Sequence, residues 1–146
     1  MRNDLPSMNA GKAMAQAAHA SNAFIHEWAG VTDPIIKPAI KSWQKETSQG
    51  FGTVLVLAVN RQELIETIGA ARTQGFAASV VDDPTYPYRA PKELADLIPH
   101  DKDTAPRIVK GNEVTLFRDE MTCGYVFADR ADEKTSLLLG KFPLHP

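Results

Sequence analysis

Asn9-Ala10-Gly11-Lys12-Ala13-Met14-Ala15-Gln16-Ala17-Ala18-His19-Ala20, running on through Phe24 to Trp28, reads as one helix. Alanine is the strongest helix former, and the Asn9 side chain can cap the first free backbone N–H groups. Ala10, Ala13, Met14, Ala17, Phe24, Ile25 and Trp28 recur at helical spacing and predict a buried stripe. Their small size near the start predicts close packing on a support, most simply a sheet. Lys12, Gln16, His19 and His26 fall on a second, polar stripe along one edge.

The neighbouring segments supply that sheet. Met1 to Leu5 is a short extended piece ended by Pro6, and Gly30 is a suitable stop for the first helix. Asp33-Pro34 starts a second helix that runs to about Gln49-Gly50. Phe51 to Val59 is a continuous apolar, β-branched run, the pattern of a strand covered on both faces. Asn60 with Glu63 forms a capping box for a third helix, with Leu64, Ile65, Ile68 and Ala71 buried and Gly75 at its end. Phe76 to Val81 reads as another strand, completing a strand, helix, strand crossover.

Beyond it, Asp82 to Pro91 carries three prolines and two acids and reads as a loop. Lys92 to Ile98 reads as a short helix and His100 to Pro106 as polar. Arg107 to Arg118 alternates about Gly111-Asn112, as a hairpin does. A last core strand starts near Met121 or Thr122 and includes Tyr125 to Ala128; a helix over Asp129 to Leu139, capped by Gly140, and a packed tail from Phe142 follow. The resulting expectation is one three-layer α/β/α domain over residues 1–146, with a mixed sheet of about four strands.

The 146 residues, 43% of them hydrophobic, suffice for one real core. No run of 18 apolar residues exists and the N-terminus lacks a signal-peptide pattern, so a soluble, cytoplasmic protein without membrane association is expected. Cys123 is the only cysteine, which excludes an internal disulfide and a cysteine metal cluster. His19 and His26 stand seven residues apart, about 10 Å along a helix, too far to share one ion, so no metal and no cofactor is expected. The net charge of −2 does not favour non-specific nucleic-acid binding. Lys37, Lys41 and Lys45 would nevertheless make one positive ridge on a helix, a pattern that solvated faces also show.

Arg2-Asn3-Asp4-Leu5, followed by Gly11-Lys12-Ala13-x-Ala15-Gln16-x-Ala18-His19-Ala20, resembles the opening of the class II peptidyl-tRNA hydrolases, where an R-x-D-L strand end leads into a G-K-x-A-A-Q-x-A-H-A helix. The order of the remaining elements agrees, and Leu139-Gly140-Lys141-Phe142-Pro143-Leu144 resembles the family's closing T-G-x-L-K-L. The resemblance implies the family's α/β fold, hydrolysis of the ester between peptide and tRNA, peptidyl-tRNA as partner and a homodimer. Three departures stand out. Ala10 occupies the place of a family lysine thought to act in hydrolysis, Asp82-Asp83-Pro84-Thr85 replaces the family's D-A-G-x-T loop, and an insertion at about residues 86–120 precedes Thr122.

Hydrolysis of such an ester needs a positioned water, a base or polarising group, and donors for the oxyanion. On the resemblance, Lys12 supplies the charge, Asp82 or Asp83 holds the lysine or orients water, and Thr85 and Thr122 donate hydrogen bonds. Asp4, Gly11, Gln16 and His19 are the substrate-binding candidates, although His19 also suits a structural bond to a backbone carbonyl. Two other readings compete. A relative with another specificity would bind a small molecule or nucleotide in the same groove, and an interaction module would use Tyr86, Tyr88 and Phe117 of the insertion as a partner surface.

Overall fold

The computed structural model describes residues 1–95, 97, 107–129 and 131–146. Its elements are α1 (Ala10–Trp28), α2 (Ile36–Gln44), α3 (Arg61–Thr73), β1 (Ala77–Pro91), α4 (Lys92–Ala95), β2 (Arg107–Lys110), β3 (Glu113–Phe127) and α5 (Glu133–Leu139). Local chemistry sets several of these bounds. The Asn9 side chain accepts from the Lys12 N–H and starts α1, and Asn60 and Glu63 form the reciprocal capping box of α3. Gly75 and Gly111 take φ values of +86° and +63°, which a side chain would resist. Gly30 does not adopt such a conformation, so α1 ends at Trp28 without the left-handed stop expected there. Helix α2 is shorter than expected, and His100 to Pro106 lies outside the described residues.

The sheet has the order β1-β3-β2, all antiparallel. Two further segments extend it by single rungs. Met1 to Asn3 lies between β3 and residues 57–59: the Arg2 N–H donates to the Thr122 carbonyl and the Asn3 N–H to the Val59 carbonyl. The Arg2–Val59 bridge is parallel and the Leu57–Leu144 bridge antiparallel, which gives the assembly its mixed character. The Phe51 to Val59 run is therefore not the continuous strand, covered on both faces, that was expected. Val54 and Leu55 are exposed, and among the described residues only 56–59 of this run find backbone partners, in Met1, Asn3, Pro143 and His145.

Alternation along β1 and β3 separates two cores. Ala78, Val80 and Val126 face Leu64, Ile68 and Ala71 of α3, with Leu138 and Phe142 beside them. Ala77, Tyr125 and Phe127 face Phe24 of α1 and Ile40 of α2. Helices thus cover both faces, and the sheet is the middle layer. Phe24 stacks on Phe127 at 4.8 Å between ring centroids and meets Tyr125 edge-on at 5.3 Å.

The second correction concerns Asp82 to Pro91, expected as a loop. It continues β1, and residues 86–91 pair with 113–118. Strand β1 is an edge strand, and edge strands tolerate proline. The Pro87 carbonyl points away from β3 and accepts from Ser7 and Lys12. A residue's nitrogen and carbonyl share one side of an antiparallel strand, so the proline lacks a donor only where none is needed. Much of the insertion is thereby a continuation of β1 and β3, with Val114 and Leu116 packed beneath Ala95 of α4.

Candidate functional site

The start of α1 lies against β1 and β3 where their ladder slips, between Val81 and Asp82 and between Asp83 and Tyr86. Gln16, one turn after Lys12, was expected on a polar edge but is 3% exposed. The buried face of α1 therefore runs through Ala13, Gln16 and Phe24, while Ala10 and Met14 turn to solvent. Burial of the carboxamide is tolerable because both of its ends are satisfied. Gln16 Nε2 donates to Asp83 Oδ2 at 2.6 Å, and the Thr122 hydroxyl donates to Gln16 Oε1 at 2.5 Å. An ionised carboxylate only accepts, so this arrangement fixes the amide's orientation.

Asp83 is held from its other side as well. Its Oδ1 accepts from the Thr85 N–H at 2.9 Å and from the Thr85 hydroxyl at 3.1 Å. Three donors thus converge on one half-buried carboxylate. The Cys123 thiol donates to the Gln16 carbonyl at 3.3 Å; burial pushes its pKa up, which keeps it a neutral thiol.

Lys12 reaches the same strand one step further on. Its ammonium donates to the Pro87 carbonyl at 2.7 Å and lies 4.8 Å from the Tyr86 ring centroid. Burial, and then the nearby Arg89 charge, pull its pKa below the usual lysine value. Tyr86 is fully buried and meets the Ser7 hydroxyl at 3.2 Å. It is part of this framework and not the exposed partner surface expected of it.

The other candidates are placed apart. Asp4 binds Arg2 Nε at 2.8 Å and the Arg61 N–H at 3.2 Å. Burial raises its pKa, but the Arg2 and Arg61 hydrogen bonds outweigh that and hold it below the ordinary aspartate value. Its contacts tie the first strand end to the start of α3. Asp82 is exposed, and its carboxylate makes no hydrogen bond among the described residues. His19 is also exposed, and a Cβ at Gly11 would meet only Asn9 Oδ1, at an ordinary contact distance of 3.5 Å. The structure thus joins Gln16, Asp83, Thr85 and Thr122, sets Lys12 on the adjoining stretch of β1, and leaves Asp4, Gly11, His19 and Asp82 outside that network.

Two features escaped the sequence reading. Arg2 is 6% exposed and pairs with Glu120, at 2.5 Å, as well as with Asp4. Glu120 also pairs with Arg118, whose guanidinium lies over the Tyr88 ring. The alternation of β3 could have suggested Glu120, whereas Ser7 carries no signal beyond its place before the helix. Among the described residues no group of three histidine, cysteine, aspartate or glutamate side chains is arranged to hold a metal ion, and no helix is long and apolar enough to cross a membrane.

The family model described as peptidyl-tRNA hydrolase PTH2 matches residues 1–100. That stretch takes in α1, α2, α3 and all of β1, while Thr122 lies beyond it. No curated protein and no solved structure matches the chain. The match covers most of the molecule, and the chain belongs to the peptidyl-tRNA hydrolase PTH2 family.

Proposed function

We propose, from this family membership, that the protein hydrolyses the ester between a peptide and the ribose of tRNA. The observation that carries the reading is the clamp on Asp83. Gln16 and Thr85 orient this carboxylate, and the Lys12 ammonium sits on the next stretch of β1, at the Pro87 carbonyl. In this scheme Asp83 takes a proton from water as the water oxygen attacks the ester carbon. The Lys12 ammonium, aided by the partial positive charge at the start of α1, stabilises the oxyanion. Collapse breaks the bond to the ribose oxygen, which takes the proton back from Asp83, and the peptide leaves as a carboxylic acid. Thr122 acts through Gln16 and is a positioning residue.

Lys12 stands in for the cation that the family resemblance would place at Ala10, which is exposed at the first turn of α1. Release of peptide from purified peptidyl-tRNA tests the reading. Lys12→Ala and Asp83→Asn should each lower turnover about 100-fold or more, the usual size for an acid–base or oxyanion group. Unchanged turnover in both variants refutes the site. A folded wild-type protein that releases no peptide refutes the function.

A further inference from the structure

Helix α2 confirms the geometry of the lysine ridge: Lys37, Lys41 and Lys45 are all exposed along α2 and its C-cap. At 1.5 Å per residue the charges repeat about every 6 Å. None of the three takes part in an ion pair among the described residues. The nearby carboxylates serve neutral donors instead. Asp33 accepts from the Ile35 and Ile36 N–H groups, Glu46 from the Thr53 N–H, and Glu27 from the Tyr125 hydroxyl. The protein is net negative as a whole, so this unpaired positive ridge is a local departure from its average.

Two neighbouring features bear on what this ridge would bind. Between the end of α1 and α2 lies a groove of about 200 Å³ with an apolar floor of Ile25, Trp28 and Ile40, rimmed by Lys37 and Lys41. Helix α1 carries no carboxylate from Ala10 to His26, and Ala15, Ala18, His19, Asn22 and His26 are exposed along it. Lys12 and the residues beside α2, Ile25 and Trp28, are 13 to 16 positions apart, roughly 20 Å along the axis. At about 3.4 Å of duplex axis per nucleotide that is some six nucleotides of a strand lying across the helix.

We propose that Lys37, Lys41 and Lys45 bind the phosphate backbone of the tRNA part of the substrate, with the acid-free outer face of α1 as the path from this ridge to the ester at Lys12. This rests on the hydrolase reading for the identity of the nucleic acid. The ridge then supplies affinity for the body of the tRNA, while the network around Asp83 acts on the ester alone.

The test compares the wild-type protein with a Lys37→Ala/Lys41→Ala/Lys45→Ala variant in three measurements: affinity for deacylated tRNA across a salt series, hydrolysis of peptidyl-tRNA, and hydrolysis of a peptidyl ester of adenosine. All three side chains are exposed, so the thermal midpoint serves only as a folding control. Affinity for deacylated tRNA should fall at least tenfold at low salt, and the slope of log K against log salt should shrink by about 2 to 3, as loss of three phosphate contacts requires. KM for peptidyl-tRNA should rise, with hydrolysis of the adenosine ester unchanged. Unaltered tRNA affinity and salt slope overturn the proposal, as does an equal loss on both esters. Lysine-dependent binding to phosphatidylserine vesicles without tRNA binding overturns it too. If the wild-type protein cleaves neither ester, the hydrolase reading fails by itself, and binding of deacylated tRNA still decides the ridge.

Discussion

Replacing Thr122 by valine removes one hydroxyl and keeps the branched shape. Thr122 is completely buried, and its hydroxyl is the donor to Gln16 Oε1 at 2.5 Å. Gln16 is itself 3% exposed, so no solvent is at hand to take the hydroxyl's place. The variant leaves a buried carbonyl oxygen unpaired, which costs about 1 to 3 kcal/mol. For a chain of this size each kcal/mol lowers Tm by about 2 to 4 °C, so a loss of about 2 kcal/mol appears as roughly 4 to 8 °C. Urea unfolding of Thr122→Val, Gln16→Met and the double variant isolates the bond. With Gln16 gone, Thr122→Val has no acceptor left to strand, and its cost should drop, giving a coupling energy of about 1 kcal/mol or more. A single-variant cost below about 0.5 kcal/mol, together with additive singles, refutes the network as drawn.

Arg89→Gln removes a like charge beside Lys12, so the lysine pKa should rise toward its usual value while burial still holds it down. If Lys12 acts as the cation, activity falls as pH climbs through that pKa. The alkaline limb of kcat/KM should then move to higher pH, and a limb that stays in place disconnects Lys12 from the reaction. Gly124→Ala would set a Cβ 2.7 Å from the Ser79 carbonyl oxygen and 3.2 Å from Leu64 and Ile68. Since the nearest atom is backbone, the cost should be about 1 to 3 kcal/mol in urea unfolding. Tyr125 is pushed up to about 12 by burial and by its bond to Glu27. The folded state keeps this proton longer than the unfolded state, so its contribution to stability holds below pH 10 and disappears between pH 10 and 12. Tyr125→Phe should lose less stability across that window than the wild type; parallel curves would disconnect Tyr125 from it.

Helix-forming and capping signals were readable because they act within a few residues. Asn9 and the Asn60–Glu63 box place the starts of α1 and α3 without reference to the rest of the chain. The hairpin at Gly111-Asn112 was legible for the same reason. The Phe51 to Val59 run shows the opposite case. Its β-branched residues satisfy a strand's side-chain pattern, but a strand also needs a partner for its backbone, and that partner is supplied only from Val56 onward. Proline misled in the other direction at Pro87, where β1 being an edge strand removes the need for a donor. The register of the polar stripe on α1 failed because Gln16 is buried by a bond to Asp83, 67 positions along the chain.

The candidate site depends on an irregularity that no periodic reading could supply. In a regular strand Thr122 and Cys123 would point to opposite faces of the sheet. Val81 pairs with Cys123 and Asp82 with Met121, which leaves Thr122 as the extra residue of a bulge. Both side chains therefore meet Gln16, the hydroxyl at Oε1 and the thiol at the backbone carbonyl. The same bulge leaves the Thr122 carbonyl free to accept from the Arg2 N–H, which seats the first residues of the chain beside β3. A second slip, between Asp83 and Tyr86, lets Thr85 fold back on Asp83 and carries the strand on to the Pro87 carbonyl that Lys12 binds. On this view the proline in place of the family's loop glycine and the residues added after it do not dismantle the site. They lengthen β1 and β3 beyond it, and along that longer ladder Asp83 is still held by Gln16 and Thr85 while Lys12 binds the Pro87 carbonyl.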